Sequence, residues 1–235
     1  MAQAQPAGSI ETHGMIRFAG ESFAPLPSGA LYWPDAQALL VADLHLEKLS
    51  SYARSGQLLP PYDTAMTLKR LERDIVVTGA KRVFALGDSF HRDEGTTTLL
   101  LADRERLGRL VDKLDWVWIA GNHDPAPHAL GGSCCVELAV SGCSLRHEPR
   151  SGISGLIAGH LHPAARVAMN GRSSRRPCFV WDGDLMILPA YGASTGSLNV
   201  LSPAFAGLLD RSKMQVMMLG RDRVYPVSHQ RLVSG

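Results

Sequence analysis

Short apolar runs, rich in Val, Ile, Leu and Trp, alternate with amphipathic stretches and turn residues in the first half of the chain. Runs of this length that are bounded by glycine, proline or aspartate are typical of buried strands. Four of them predict strands, at residues 30–33, 38–41, 82–86 and 116–120. The first two are joined by Pro34 and Asp35, which predict a tight turn.

Two amphipathic stretches separate these strands and predict helices. The first follows Asp63, a good N-cap residue, and places Leu68, Leu71 and Ile75 on one face. The second covers residues 96–114. Strands that alternate with helices predict right-handed crossovers and a parallel sheet, in which site residues lie at the carboxyl ends of the strands.

The pattern changes from about residue 133 to short strands and turns with little helix. The apolar runs predict further strands at residues 135–140, 144–146, 155–158, 179–181, 185–188, 198–201 and 215–219. We expect a second, mostly antiparallel sheet packed against the first. The sequence therefore predicts a single α/β domain over residues 1–235, with frayed ends at about 1–11 and 229–235.

Composition and charge narrow the function classes. Residues 1–8 lack the features of a secretion signal, and no run approaches the roughly 18 apolar residues of a membrane helix, so we expect a soluble, cytoplasmic protein without membrane contact. The four cysteines lack C-x-x-C spacing and are interpreted as inert thiols. Residues 1–145 carry 13 Lys+Arg and 17 Asp+Glu, whereas residues 146–235 carry 11 and 5, as a polyanion-binding face would.

Polar clusters follow five of the predicted strands. They are Asp43-Leu44-His45, Gly87-Asp88, Gly121-Asn122-His123-Asp124, Arg146-His147-Glu148 and Gly159-His160-Leu161-His162. A single cluster of this kind is usually a turn or a hydrogen-bonded histidine. Five in succession supply the imidazoles, carboxylates and amide oxygen that two divalent cations about 3.5 to 4 Å apart require. The joint pattern predicts a metal site for phosphoester hydrolysis, in which metal-activated hydroxide attacks phosphorus.

The order D-x-H, G-D, G-N-H-D, H, G-H-x-H resembles that of the calcineurin-like metallophosphoesterases, from residue 43 to 162. The resemblance implies their four-layer αββα sandwich, with two mixed sheets flanked by helices. It also implies one metal bound by Asp43, His45, Asp88 and His162. A second metal would be bound by Asp88, Asn122, His147 and His160, so that Asp88 bridges the two. His123 matches the catalytic histidine of the family.

Longer stretches resemble the ligase-associated DNA damage response endonucleases of bacteria. They are ADLHLEK from Ala42, GQLLPPYDT from Gly56, LGDSFH from Leu86, LRHEP from Leu145 and LPAYG from Leu188. The segment after Tyr191 departs from that pattern at Ser194, where an aromatic residue is expected, and at Ser197, where glycine is expected. The resemblance implies endonuclease activity on DNA in repair, on single strands or damaged ends. It also implies an ATP-dependent DNA ligase, an exonuclease and a helicase as candidate partners.

Several neighbouring residues have two open interpretations. Asp124 either orients the catalytic His123 ring or has a helix-capping or turn role. His91 either contacts substrate phosphate or lies at the surface. The basic stretch with Arg172, Arg175 and Arg176 either binds the nucleic-acid backbone of the substrate or is a solvated hairpin tip.

The ligand set suits Mn²⁺, which the resemblance favours, and also Fe or Zn²⁺. Two other functions remain open. One is a phosphodiesterase for small molecules such as cyclic nucleotides, and the other is a non-catalytic repair scaffold.

Overall fold

The computed structural model describes residues 14–53, 62–92, 95–169 and 171–234. Two mixed sheets pack face to face, which confirms the predicted fold class. The predicted fraying of residues 1–11 and part of the GQLLPPYDT stretch lie outside the described residues.

The first sheet has seven strands that lie in chain order. They are β1 (Ile16–Phe18), β2 (Glu21–Pro25), β3 (Leu31–Trp33), β4 (Ala38–Val41), β5 (Arg82–Leu86), β6 (Asp115–Ile119) and β7 (Ser133–Cys135). The strands from β1 to β4 pair antiparallel, and those from β4 to β7 pair parallel. The sequence predicted β4 and β5 at their observed bounds, but it missed β1 and β2.

The second sheet contains the remaining nine strands. They are β8 (Glu137–Val140), β9 (Cys143–Arg146), β10 (Leu156–Ala158), β11 (Pro163–Met169), β12 (Arg172–Trp181), β13 (Leu185–Ile187), β14 (Leu198–Asn199), β15 (Gln215–Leu219) and β16 (Val224–Val227). Strands β9, β10 and β13 are parallel, whereas β12 is antiparallel to β11, β13 and β15. The predicted strand at residues 135–140 is wrong as one element, because β7 and β8 belong to different sheets.

Four helices occur in the described chain: α1 (Lys48–Ala53), α2 (Asp63–Thr78), α3 (Gly95–Thr98) and α4 (Leu101–Lys113). The predicted helix at 96–114 is therefore divided into α3 and α4. Leu68 and Leu71 of α2 and Leu107 of α4 pack with Leu39 and Val83 on the outer face of the first sheet. None of the described helices has the length and apolar character needed to cross a membrane.

A shared apolar core joins the sheets. Trp33 and Phe84 of the first sheet pack in it with Leu145, Phe179 and Trp181 of the second. On the outer face of the second sheet, a 3-10 helix at Pro203–Phe205 and its loops cover a further apolar cluster.

The C-terminal segment differs from the prediction of a frayed end after residue 229. A 3-10 helix forms at His229–Arg231, Leu232 pairs with Val167, and the Val233 backbone N–H donates to Arg166 at 2.9 Å. These contacts hold the segment on the edge of the β11–β12 hairpin.

Candidate metal centre

The loops that follow β4, β5 and β6 meet the loops that follow β9 and β10. These strands are parallel within each sheet, so their carboxyl ends lie together. Across the sheets, His147 Nδ1 lies 2.9 Å from the Leu86 carbonyl oxygen, and the His160 N–H donates to Asp43 at 3.0 Å. The structure brings all seven predicted ligands into this one site.

One group of potential ligands consists of Asp43, His45 and His162. His162 Nε2 lies 3.3 Å from Asp43 Oδ1 and 3.3 Å from His45 Nε2. Asp43 and His45 are buried and His162 is half-buried. A carboxylate oxygen and two imidazole nitrogens at this spacing can hold a divalent cation.

A second group consists of Asp88, His147 and His160. His147 Nε2 lies 3.1 Å from His160 Nδ1, 3.3 Å from Asp88 Oδ1 and 2.9 Å from the amide oxygen of Asn122. Asn122 therefore adds an oxygen donor to this group.

The Asp88 carboxylate lies between the two groups. Its Oδ2 is 3.8 Å from His45 Nε2, and its Oδ1 is 3.3 Å from His147 Nε2. The residue is 2% exposed, and the His123 backbone N–H donates to Oδ1 at 2.9 Å. A buried carboxylate is stable in its charged form only where hydrogen bonds or cations compensate it.

The donor atoms around His147 fit a cation. Its Nδ1 faces the Leu86 carbonyl oxygen and therefore carries the proton, which leaves a lone pair on Nε2. That lone pair points at two oxygens, of Asn122 and Asp88, that also have lone pairs to donate. Lone pairs converging in a buried space repel one another unless a positive charge lies between them. In the other group, His45 Nδ1 is buried without a hydrogen-bond partner among the described residues.

The backbone of the site is strained. Five of the predicted ligands have a left-handed φ without being glycine: Asp43 (54°), His45 (42°), Asp88 (46°), His160 (71°) and His162 (46°). Each such residue costs on the order of 1–3 kcal/mol and persists only where its surroundings fix it. Concentration of backbone strain in the residues of one site is typical of a functional site.

Glycines in the motifs give these side chains their space. A Cβ on Gly87 would lie 2.5 Å from the His147 ring, and one on Gly159 would lie 2.7 Å from Asp43 Oδ2. A Cβ on Gly121 would overlap Asp88. The glycines of the G-D, G-N-H-D and G-H-x-H patterns are therefore required by close packing as well as by turns.

Burial favours the neutral form of two of the histidines, His45 and His160. It lowers the pKa of His45 to about 2, with help from the nearby His162 and Lys48. Burial and the neighbouring His147 also lower the pKa of His160. For His162, burial lowers the pKa, but the hydrogen bond and charge of Asp43 outweigh this effect, so the pKa is raised overall. Neutral imidazoles are the form that binds metals.

His123 lies at the open side of the site. Its side chain is 42% exposed, its Nε2 lies 3.9 Å from Asp88 Oδ2, and its Nδ1 lies 3.2 Å from the His91 carbonyl oxygen. The His91 ring stacks on the His123 ring with centroids 5.3 Å apart and is edge-on to His45. Both residues predicted to face substrate therefore border the two ligand groups.

The Asp124 carboxylate accepts hydrogen bonds from the backbone of two loops. One carboxylate oxygen accepts the backbone N–H groups of Ser89 and Phe90 at 2.8 and 3.1 Å, and the other accepts that of Gly121. Burial raises the pKa of Asp124 to about 6, against the effect of these bonds. Asp124 thus ties the loop after β6 to the loop after β5, while the His91 carbonyl oxygen orients His123.

The three predicted basic residues lie in the exposed first part of strand β12, where Arg172 is next to the turn of the β11–β12 hairpin. Arg172, Arg175 and Arg176 are exposed. Arg175 Nη2 donates to the Ser197 carbonyl oxygen at 2.6 Å. Residues in a strand alternate between its two faces, so Arg175 points away from the face of Arg172 and Arg176.

Sequence reasoning missed the residues that support the site from behind. Buried Glu47 accepts a hydrogen bond from Thr64 of α2 at 3.0 Å. Buried Tyr191 donates its hydroxyl to Asp74 of α2 at 2.9 Å. Tyr191 and Gly192 in turn donate their backbone N–H groups to the Ala42 and Asp43 carbonyl oxygens. Glu47 and Tyr191 stand inside stretches already quoted for the family resemblance, which was the available signal.

Comparison with solved structures identifies an informative match. The crystal structure of the Pseudomonas putida nuclease MPE is 32% identical, covers 91% of this chain and 98% of its own, and has a TM-score of 0.70. A phosphoesterase of E. coli, Yfce, matches at 14% identity over 84% of this chain and 96% of its own, with a TM-score of 0.36 that supports no conclusion. No protein-family model and no curated protein matches the sequence.

The two facing sheets, with paired carboxylate and histidine groups at their meeting edge, define a metal-dependent phosphoesterase, a hydrolase. The sequence identity and coverage of the match to the Pseudomonas putida protein then show the family. The chain belongs to the metallophosphoesterase superfamily, in the family that includes the Pseudomonas putida protein.

Proposed function

We propose that the protein is a dinuclear-metal phosphodiesterase that cleaves DNA. The observation that carries this proposal is the position of the Asp88 carboxylate, whose two oxygens face different ligand groups. Asp43, His45 and His162 would hold one cation, and Asn122, His147 and His160 the other, with Asp88 common to both. Mn²⁺ is the proposed metal, because oxygen and imidazole donors suit it and the family resemblance favours it. Fe and Zn²⁺ fit the same donors.

When bound, such cations make water a nucleophile at neutral pH and offset charge on the phosphoryl oxygens. Asp43 and Asp88 balance part of that positive charge. The Leu86 carbonyl oxygen fixes the His147 tautomer, so Nε2 is held toward the centre. The Asp43 carboxylate is held in turn by the His160 backbone N–H.

His123 is the proposed general acid. Its Nδ1–H donates to the His91 carbonyl oxygen, which turns Nε2 toward Asp88 and the open side. A protonated Nε2 there can donate to a phosphoryl oxygen or to the departing alkoxide. His91, stacked on this ring, is proposed to contact the substrate phosphate.

DNA is favoured as the substrate by three observations. The site is open at His123, residues 146–235 carry 11 basic against 5 acidic residues, and the similar Pseudomonas putida protein is described as a nuclease. An open site in a chain whose second half is basic suits a long polyanion better than a small diester. We extend the proposal to DNA repair, with the ligase, exonuclease and helicase partners that the family resemblance implies. The scaffold alternative is disfavoured because no proposed ligand is missing.

The test is an activity panel with protein stripped of metal and re-supplied with Mn²⁺, Fe²⁺ or Zn²⁺. The substrates are linear and circular single-stranded DNA, duplex DNA, RNA and 2′,3′-cyclic nucleotides. We expect Mn²⁺-dependent cleavage of DNA, including the circular form. Hydrolysis of the cyclic nucleotides alone would remove DNA from the proposal and leave a small-molecule phosphodiesterase.

Asp88→Asn is the matching variant. Losing the shared charge should lower kcat by at least about 100-fold, since even indirect supports of metal ligands contribute 10- to 100-fold. Asp115→Asn is the control, because Asp115 begins β6 at the end away from the site and its side chain forms a surface ion pair with Arg82. Equal DNA cleavage by Asp88→Asn and the wild-type protein would overturn the dinuclear mechanism.

A further inference from the structure

Two arginines stand directly opposite each other on the hairpin that leaves the metal centre. Strand β11 begins at Pro163, immediately after the proposed ligand His162. In its register with β12, Arg166 is paired with Arg175. Opposed residues of an antiparallel pair have Cβ atoms about 4.5–5.5 Å apart, and like charges at that spacing destabilise a sheet. The pairing therefore costs stability unless an anion joins it.

The hairpin overhangs the second sheet at the end where the metal centre lies. Strand β13 is parallel to β10, whose carboxyl end leads into His160. Strand β12 runs the other way, and only its last four residues, Cys178–Trp181, pair with β13 or β15. The preceding six residues, 172–177, are exposed. They extend past the core on the same side as His160.

The two faces of the hairpin point in opposite directions. Phe179 and Trp181 point into the core shared with the first sheet, and Arg175 has the same parity. Cys178 and Val180 point into the outer cluster, on the face that carries Arg172 and Arg176. Arg175 and its partner Arg166 therefore lie on the face turned toward the first sheet, which carries Asp43, His45 and Asp88.

Local contacts orient this arginine pair without neutralising it. Arg175 Nη2 donates to the Ser197 carbonyl oxygen, and Arg166 Nη2 donates to Ser173 Oγ at 3.0 Å. Among the ion pairs of the described residues, none involves either guanidinium. Both groups keep further N–H donors, and a guanidinium pairs bidentately with a phosphate.

We propose that Arg166 and Arg175 together bind the backbone of the DNA strand beside the phosphodiester that is cleaved at the metal centre. This inference rests on the proposed nuclease function. It separates Arg175 from Arg172 and Arg176, which face the other way, and adds Arg166, which the sequence pattern did not single out. The pair provides a polymer-binding step that a small diester cannot use.

The experiment compares kcat/KM for a single-stranded DNA oligonucleotide with kcat/KM for bis(4-nitrophenyl) phosphate. In the Arg166→Ala, Arg175→Ala double variant, we expect the ratio to fall about tenfold and the salt dependence of oligonucleotide cleavage to weaken by about one to two units of log–log slope. Arg104→Ala is the matched control, because Arg104 is an exposed arginine on α4. Its ratio should equal that of the wild-type protein.

A second variant separates binding from folding. Arg175→Glu would place opposite charges across the hairpin, which favours the fold but repels phosphate. We expect Tm to be maintained while oligonucleotide cleavage falls at least as far as in the double alanine variant. An unchanged ratio and salt slope in these variants, or an equal loss on both substrates, would overturn the inference. Failure of the wild-type protein to cleave any oligonucleotide while hydrolysing the small diester would instead overturn the proposed nuclease function.

Discussion

His147 shows how single residues set the chemistry of this site. Its ring is buried, its Nδ1 meets the Leu86 carbonyl oxygen, and its Nε2 faces Asn122 and Asp88. The ring reaches this position only because residue 87 is a glycine, with φ +77° and no Cβ in the way.

Gly87→Ala tests this dependence. A Cβ at residue 87 would lie 2.5 Å from the His147 ring, so the ring must move and the second ligand group must open. We expect Mn²⁺ affinity to fall by about 10- to 100-fold, measured by titration calorimetry. Gly142→Ala is the control, since Gly142 has a similar φ of +79° but nothing within 4 Å of the added Cβ. Equal losses in both variants would attribute the effect to backbone strain alone.

At the scale of elements, α2 contacts both the residues behind the site and helix α4. Its Asp74 accepts the Tyr191 hydroxyl, and its Thr64 donates to Glu47. Its Glu72 is held by Arg106 of α4, which donates from Nε at 2.7 Å. That hydrogen bond is the main cause of the lowered pKa of Glu72.

The pH dependence of this helix pair has a definite sign. A carboxyl group whose pKa is lowered by folding contributes stability above its unfolded pKa and loses it as pH falls through the folded value. Glu72→Gln should therefore lower the free energy of unfolding by on the order of 0.5 kcal/mol at pH 7, a modest amount because the pair is partly exposed.

The difference should shrink below the ordinary pKa of 4.5, as seen by urea unfolding at several pH values. Glu105→Gln, at an exposed position of α4, is the control. A difference that stays constant down to pH 3 would show that the ion pair is not its cause.

At the scale of the whole molecule, the candidate metal centre joins the two sheets. Asp43, His45, Asp88 and Asn122 follow strands of the first sheet, and His147, His160 and His162 follow strands of the second. Removing the proposed cations should therefore weaken the contact between the sheets. A ligand whose free concentration is 100 times its Kd stabilises a fold by about 2.7 kcal/mol per site.

We accordingly expect chelation to lower Tm by several degrees and added Mn²⁺ to restore it, as measured by differential scanning calorimetry. Asp88→Asn should show a smaller metal-dependent rise, whereas Asp115→Asn should behave like the wild-type protein. A Tm that does not respond to Mn²⁺ would contradict a metal link between the sheets.

Strands and ligand order could be predicted where apolar runs end in polar clusters. β4, β5 and β15 occupy their predicted residues, and the side chains after β4, β5, β6, β9 and β10 converge as the parallel arrangement requires. β12 was predicted only at residues 179–181, because its first half, with three arginines, two serines and a proline, carries no apolar signal. Pairing with β11 makes those residues a strand.

By itself, the sequence determined which residues can donate to a metal and in what order they follow the strands, because hydrophobic periodicity and donor chemistry are local properties. Only the tertiary structure decided that Asp124 serves two loops, that α2 supports Tyr191, and that Arg166 faces Arg175. Each of these depends on residues that are distant in the chain and meet only through sheet register and packing. No local pattern encodes such distances, so they appear only when the chain is folded.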